Sequence, residues 1–428
     1  MRVDLLPIRD LLERLGSPQR GFRAIHVAGT KGKGSVAALV SAGLRRFGLR
    51  TGVYASPHVM RVQERVVVDG RDAADDDLSR ALEEALEAKE SAAREATPAR
   101  DATWFDVLTA AAFSVFARSG LDVAVVECGL GGRLDSTNVL ASPLAVLTNV
   151  DLEHTEVLGT TRRAIAREKA DIVTPGGTLV TGVGAGDEAG REVARIARER
   201  GARVLFVPPR PALPLADQNA LLAGAVLDEV GRGVLAAGPY GGEEGLPPGI
   251  AGGAPKGRGD APGAWLLDEA TRASARLPGR LEKIVLGGVP VVLDGAHVAS
   301  SLAAVLRDLE ADPELVRQPW VIFGIGADKD APALLKVLQG RVDRVFCTSA
   351  GTGLSFPSQD LRDEARRAGL RAETAPEPEA AFERARDSVP PGGWVLVTGS
   401  LHLVGRIRAR IGSELPRPPC SPSSPISS

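Results

Sequence analysis

Ala28-Gly29-Thr30-Lys31-Gly32-Lys33-Gly34-Ser35 decides how the first half of this chain is read. The run before it, Ala24-Ile25-His26-Val27, reads as a short buried strand. After it, Val36, Leu39, Val40, Leu44 and Phe47 recur at the spacing of one helical face. Strand, glycine-rich turn and helix form the context that a phosphate-binding loop needs. Glycines let backbone N–H groups close around phosphate oxygens, and the helix N-terminus adds a partial positive charge. Lys33 offers a point charge, and Ser35 a hydroxyl for phosphate or Mg²⁺. Gly34 separates Lys33 from Ser35, so the spacing departs from the standard G-x-x-x-x-G-K-[ST]. The plain alternative is a tight strand-to-helix turn with a solvated lysine.

Composition bounds what such a loop can serve. A chain of 428 residues predicts two or three domains with ample apolar cores. Lys plus Arg is 52 against 54 Asp plus Glu, which gives no global field for nucleic acid. No apolar run reaches the length of a membrane span and no signal peptide opens the chain. Cys128, Cys347 and Cys420 make neither a disulfide framework nor a paired zinc pattern, so a reducing cytoplasm is expected. Of five histidines, His58, His154 and His297 fall inside motifs and are weighed as functional.

Outward from the loop, strands and helices alternate. Val123–Glu127, Leu144–Val150, Thr178–Val183 and Arg203–Val207 read as strands. Phe105–Arg118, Arg162–Asp171, Asp187–Arg200 and Ala216–Val230 read as helices. Such alternation predicts a parallel sheet covered on both faces. It breaks at about 231–263, a Gly-, Pro- and Ala-rich stretch read as a flexible insertion. It resumes with strands at Pro290–Leu293, Trp320–Phe323, Arg344–Cys347 and Trp394–Val397. The expected fold class is α/β: a P-loop-type parallel-sheet ATPase domain over residues 1–272, then a smaller Rossmann-like α/β domain over 276–413. Residues 414–428 read as a disordered tail.

Two further strands deliver polar residues to the edge where open α/β folds bind ligands. Glu127 ends one of them and is followed by the glycine cluster of Gly129–Gly132. There it could hold Mg²⁺ against phosphates, or it could face solvent. Thr148–Thr155 ends the other, with His154 open to a metal or a structural role. Lys169 lies on a helix and by itself reads as a solvated cation. An ammonium cannot ligate a metal, but a desolvated amine could add CO₂ and become an anionic oxygen donor.

In this order the motifs resemble the folylpolyglutamate synthases and dihydrofolate synthases of the Mur ligase superfamily. The resemblance runs through Val27–Ser35, Tyr54-Ala55-Ser56-Pro57-His58 with Glu64-Arg65, and Trp104–Thr109. It continues with Glu127–Asn138, His154-Thr155, Leu158-Gly159 and Ile165–Ala170. Gln218-Asn219-Ala220, Pro278–Glu282, Asp294-Gly295-Ala296-His297 and Asp328-Lys329-Asp330 complete it.

The resemblance implies an ATP-dependent ligase that joins L-glutamate to a folate or to dihydropteroate through an acyl phosphate. Gly29, Thr30, Gly32, Lys33, Gly34 and Ser35 would grip the ATP phosphates. Ser56, Glu127 and His154 would hold Mg²⁺, with Lys169 as the carbamylated lysine. A monovalent cation such as K⁺ is a further candidate. Lys33, Lys169, Glu127 and His154 form the expected catalytic set. Asn219 would meet the adenine, while Arg280, Asp294 and His297 would reach phosphates and ribose. The folate would lie near Pro57, His58, Phe105 and Asp106. The resemblance also implies a cytoplasmic monomer with no nucleic-acid or membrane partner. One departure stands out: Val298 follows His297 where the family usually has Asn, so a side-chain amide is lost. Two other readings are a Mur-type amino-acid ligase of cell-wall synthesis and a non-ligase P-loop ATPase. Against a guanine switch, Ala327-Asp328-Lys329-Asp330 lacks the Asn of Asn-Lys-x-Asp.

Overall fold

The computed structural model describes residues 4–237, 262–351 and 354–412. The chain divides into two compact units, Met1–Leu277 and Pro278–Ser428.

The first unit is built on an eight-stranded sheet. Its strands are β1 Arg23–Ala28, β2 Thr51–Tyr54, β3 Val66–Val68, β4 Arg71–Asp72, β5 Val123–Glu127, β6 Leu144–Leu147, β7 Thr178–Thr181 and β8 Arg203–Phe206. Their spatial order is β4-β3-β2-β5-β1-β6-β7-β8. The six strands from β2 to β8 across the sheet are parallel, and the β3–β4 hairpin adds an antiparallel edge. Buried residues explain the unbroken apolar runs. On β5, Val123 and Val125 enter one core while Ala124 and Val126 enter another. A strand covered on both faces shows no polar alternation. The helices Lys33–Arg46 and Leu215–Gly231 cover one face of the central strands, and Trp104–Arg118 covers the other.

β1 is flanked by β5 and β6, which brings three strand ends to the same rim. Open α/β sheets bind ligands at such a rim, where the chain order reverses. The sequence reading carries β6 on to Val150, but the strand stops at Leu147. The Thr148 side chain turns away to bond the Lys31 carbonyl, which converts Thr148–Val150 from strand into part of the rim.

The second unit holds a six-stranded sheet in the order β13-β12-β11-β14-β10-β9. Its strands are β9 Glu282–Leu286, β10 Val289–Leu293, β11 Trp320–Phe323, β12 Arg344–Cys347, β13 Ala372–Thr374 and β14 Val395–Thr398. All pairings are parallel except β9 with β10. The molecule is therefore α/β throughout, with two mixed, mainly parallel sheets.

The expected insertion at 231–263 falls largely on residues 238–261, outside the described residues, as do Cys420 and the tail 414–428. At its margins the described chain is helical. Leu215–Gly231 continues to Gly231, a 3-10 turn spans Val234–Ala237, and a short helix spans Pro262–Leu266.

Candidate active site

The phosphate loop is held from outside itself. Thr148 Oγ1 and Asn149 Nδ2 both donate to the Lys31 carbonyl, at 2.6 and 3.0 Å. Asn149 Oδ1 accepts the Lys31 N–H at 2.8 Å, and the Asn149 carbonyl accepts Thr30 N–H at 3.1 Å. Lys31 Nζ donates to Glu153 Oε1 at 2.6 Å. The segment after β6 thus clasps the segment after β1.

Gly32 is the N-cap of helix Lys33–Arg46, with φ +77°. A Cβ there would lie 2.7 Å from Asn219 Oδ1, so both the left-handed backbone and the close approach require glycine. The same proximity places Asn219 beside the loop. Val36 N–H is bonded to Gly32 O at 2.9 Å. The N–H groups of Lys33, Gly34 and Ser35 precede it in the first turn, where helix geometry supplies no carbonyl partner. These donors and the helix dipole make the turn an anion cradle.

Three of the expected catalytic groups converge here. Lys33 Nζ lies 3.7 Å from Glu127 Oε1 and donates to the Thr30 carbonyl at 3.4 Å. Glu127, 3% exposed at the end of β5, accepts Ser56 N–H on Oε2 at 3.2 Å. Lys169, 4% exposed on helix Arg162–Ala170, donates from Nζ to the Gly29 carbonyl at 2.8 Å. Burial and then the nearby charge of Lys33 pull the Lys169 ammonium down to about 8. Thr30, within the turn, accepts Asp151 N–H on Oγ1 at 3.0 Å.

His154 differs from this group in being part-exposed. Its backbone is left-handed, with φ +51°, at the N-cap of the short helix Thr155–Leu158. Its side chain is 44% exposed, with Nδ1 3.8 Å from Glu156. Among the described residues no three His, Cys, Asp or Glu side chains gather as a metal cluster. The expected set does not need one, because it draws on a serine and a modified lysine beside Glu127 and His154.

The expected substrate residues lie just after β2 and in the first turn of helix Trp104–Arg118. The Ser56–Pro57 peptide is cis. His58 Nδ1 accepts from Arg65 Nε at 2.8 Å. Glu64 accepts the N–H groups of Val59, Met60 and Arg61, which fixes the Ser56–Val59 segment. Asp106 closes a capping box with Thr103 and accepts Ser136 Oγ at 2.6 Å. The Phe105 ring lies 6.0 Å from that of Tyr54.

In the second unit, Asp294 is buried and both its oxygens serve the backbone. Oδ2 accepts Leu281 N–H at 2.9 Å and Oδ1 accepts Ala296 N–H at 2.8 Å. Burial raises its carboxyl, and Arg280 opposes that shift. His297 Nδ1 lies 2.9 Å from the Gly295 carbonyl. Val298 is the N-cap of helix Ala299–Glu310 and provides no side-chain cap.

Comparison with known proteins shows the family of the chain. Residues 279–401 match the Mur ligase glutamate ligase domain. The dihydrofolate synthase/folylpolyglutamate synthase of Bacillus subtilis is 30% identical over 94% of each chain. The folylpolyglutamate synthase of Lacticaseibacillus casei is 33% identical over 94% of this chain and 92% of its own. The chain belongs to the folylpolyglutamate synthase/dihydrofolate synthase family. Members of this family are ATP-dependent glutamate ligases.

A probable bifunctional folylpolyglutamate synthase/dihydropteroate synthase of Haloferax volcanii is 34% identical over 94% of this chain. This chain spans about half of that protein, 47%. Among solved structures, Mycobacterium tuberculosis folylpolyglutamate synthase complexed with ADP and AMPPCP superposes with TM-score 0.78 at 27% identity, over 96% of each chain. E. coli FolC in complex with DHPP and ADP gives 0.77 at 25%, over 97% of this chain and 94% of its own. The Yersinia pestis bifunctional family enzyme complexed with AMPPNP and Mn ion gives 0.75 at 27%, over 96% and 94%. ATP and a divalent metal are thus the family's cofactors. Among the described residues no helix is long and apolar enough to cross a membrane.

Several groups here carry no signal in a single sequence. The Lys31–Glu153 pair and the Thr148 and Asn149 clasp arise only from pairing of distant segments, and the bond from Arg65 to His58 only from the turn between them. His26 was read as part of a strand and nothing more. Its ring Nε2 lies 2.8 Å from the Thr137 hydroxyl, 111 residues on.

Proposed function

We propose that this chain joins L-glutamate to a folate, to dihydropteroate, or to both, with ATP converting the acceptor carboxylate into an acyl phosphate. The observation that carries this reading is the convergence of Lys33, Glu127 and Lys169 on the turn Gly29–Ser35. A carboxylate is a poor electrophile, and phosphorylating it brings two anions together. Lys33 offsets the charge that develops on the transferring phosphoryl group, and the first-turn N–H groups hold the flanking phosphates. The glutamate amine then attacks the acyl carbon to form the C–N bond, the C–O bond to phosphate breaks with its electron pair going to phosphate, and the nitrogen loses a proton.

Mg²⁺ would be held by Ser56, Glu127, His154 and Lys169, and would neutralise phosphate charge. The fit rests on Glu127, a buried carboxylate bonded to Ser56 N–H. Lys169 fits once CO₂ has added to its amine, which replaces a cation by an oxygen-bearing anion. Its lowered proton affinity favours that reaction. K⁺ is the monovalent candidate. Asn219, beside Gly32, is assigned to the adenine, and Arg280 and His297 to phosphates and ribose. Asp294 is assigned with them, and by accepting Leu281 and Ala296 N–H it also shapes the turn that carries His297. Pro57, His58, Phe105 and Asp106 are assigned to the folate. We place the reaction in the cytoplasm and in a monomer. Cys128 and Cys347, both buried and unbridged, support a reducing compartment.

Phosphate release tests the reading. Dihydropteroate, tetrahydrofolate and a cell-wall precursor are each supplied with ATP, with and without glutamate. Release that needs a pteridine acceptor and glutamate together supports it. Release with the cell-wall precursor alone, or with no acceptor, overturns it.

A further inference from the structure

His26 is a fully buried histidine on β1, three residues before Gly29, and no step above uses it. Burial pushes its imidazole down to about 3, so the ring is neutral and carries one proton. The neighbours fix where that proton sits. Nδ1 is buried with no partner among the described residues. Nε2 lies 2.8 Å from Thr137 Oγ1 and 3.1 Å from Cys128 Sγ. The Thr137 hydroxyl has one hydrogen and donates it to Asp135 Oδ1 at 2.5 Å. With that hydrogen committed, Thr137 can only accept from the ring. Thr137 Oγ1 also lies 3.5 Å from Cys128 Sγ, and the Nε2–H tautomer is assigned because Nδ1 has no partner, so a proton there would be a buried N–H without an acceptor.

Asp135 in turn closes a loop. Oδ1 also accepts Thr137 N–H at 3.1 Å, and Oδ2 accepts Leu130 N–H at 2.8 Å. That loop touches the expected substrate residues. A Cβ on Gly129 would lie 2.6 Å from the Phe105 ring, so backbone and ring are in direct register. Ser136 Oγ donates to Asp106 Oδ1 at 2.6 Å.

We propose that His26 is a positioning residue for the acceptor side of the site: its Nε2–H, relayed through the Thr137 hydroxyl to the Asp135 carboxylate, sets the 129–137 loop against Phe105 and Asp106. The word acceptor rests on the functional reading above, and the relay itself does not. The consequence runs against position in the chain. His26 precedes the phosphate loop, yet its loss falls on the folate and not on ATP.

Three variants test this. His26→Leu removes the donor, Thr137→Val removes the hydroxyl, and His26→Gln keeps an amide N–H at about the reach of Nε2. Amide hydrogen exchange by mass spectrometry reads the loop directly. His26→Leu and Thr137→Val are expected to speed exchange in peptides covering 129–138 by about tenfold, with peptides covering 29–36 within about twofold. The KM for the pteridine acceptor rises about fivefold in both, the KM for ATP stays within about twofold, and the double variant is no worse than the worse single. His26→Gln restores most of both readouts. Faster exchange at 29–36 with 129–138 unchanged, additive effects in the double variant, or a His26→Gln no better than His26→Leu would each overturn the proposal. If His26→Leu does not fold, Thr137→Val carries the same readouts. A wild-type chain that ligates no pteridine sinks the functional reading, and the exchange experiment still decides the relay.

Discussion

Two strand–turn–helix junctions, one in each unit, use their polar groups in opposite ways. After β1, the turn Gly29–Gly32 is held by residues far along the chain. Thr148 and Asn149 grip the Lys31 carbonyl, and Lys169 grips that of Gly29. After β10, the turn Asp294–Val298 spends its own carboxylate on backbone N–H groups, and its Ala296 carbonyl also accepts Gly399 N–H and the Thr398 hydroxyl. Asp294 accepts Leu281 and Ala296, and His297 Nδ1 closes on Gly295. A turn clamped from outside keeps its own first-turn N–H groups and lysine for an anion. A turn whose carboxylate already accepts two backbone N–H groups gains rigidity and offers less of that side chain to a ligand. Substitutions at the first junction should therefore cost activity, and those at the second should cost stability first.

The sharpest test is Lys33→Ala. It removes a charge aimed at the transferring phosphoryl group, so kcat should fall on the order of 10²–10³-fold. Thermal unfolding should shift by only a few °C, roughly the effect of a partly exposed side chain outside the core. Near-native ligation by this variant would remove the first junction from the chemistry.

Lys169 is next in size and has a pH signature. In CO₂-free buffer its buried ammonium destabilises the fold. The cost is complete below about 8, where the lysine is charged both folded and unfolded. It is relieved as pH rises from about 8 towards the ordinary 10.5, where the folded lysine is neutral before the unfolded one. Against Lys169→Met as reference, the wild type should gain on the order of 3 kcal/mol across that window in denaturant titrations. A flat difference between pH 7 and 10.5 would mean the amine is not desolvated. For activity, Lys169→Ala and Lys169→Arg should both be nearly inactive. Acetate or formate should restore part of the Ala variant by placing a carboxylate at the vacated position, and a fully active Lys169→Arg would end the carbamate assignment.

At the second junction, Asp294→Ala leaves a buried N–H at Ala296 unpaired, costing about 1–3 kcal/mol, and a part-buried one at Leu281 that costs less. Its unfolding midpoint should drop well below that of Lys33→Ala, while purified folded enzyme keeps more activity. The reverse ranking would erase the contrast between the junctions.

How far this was legible in sequence follows from the same contrast. Strand β5 can be read to the residue, because Val123–Glu127 is an unbroken apolar run that ends on one carboxylate. The phosphate-loop helix is legible from the spacing of Val36 to Phe47. Local signals suffice there. The four-residue β2 and the β3–β4 hairpin are invisible locally, since their identity comes from pairing with β5 and with each other. β6 reads too long because Thr148 looks like strand until its hydroxyl meets Lys31. The family resemblance singles out Lys169, but the bond to Gly29 spans 140 residues, and only the fold shows that the lysine is buried. Asp294 was expected to meet a ribose. Its use on two backbone amides depends on β9 returning beside β10, which no pattern in the sequence announces.

The smallest effect separates two jobs that an amide after His297 could do. Helix Ala299–Glu310 starts on Val298, whose extended backbone, φ −133° and ψ 151°, is N-cap geometry without a side-chain acceptor. Val298→Asn would supply one, worth about 1 kcal/mol if its oxygen accepts an N–H from the first turn. The same oxygen cannot also be turned fully to a nucleotide. A rise of a few °C in unfolding midpoint with KM for ATP unchanged would make the family's Asn a cap, and this turn a purely structural junction. A lower KM for ATP, several-fold at most and with no gain in stability, would make it a ligand. The second result would weaken the contrast between the two turns, because the second junction would then need only one side chain to recruit an anion. The bonds from Asp294 to the Leu281 and Ala296 amides predict the first.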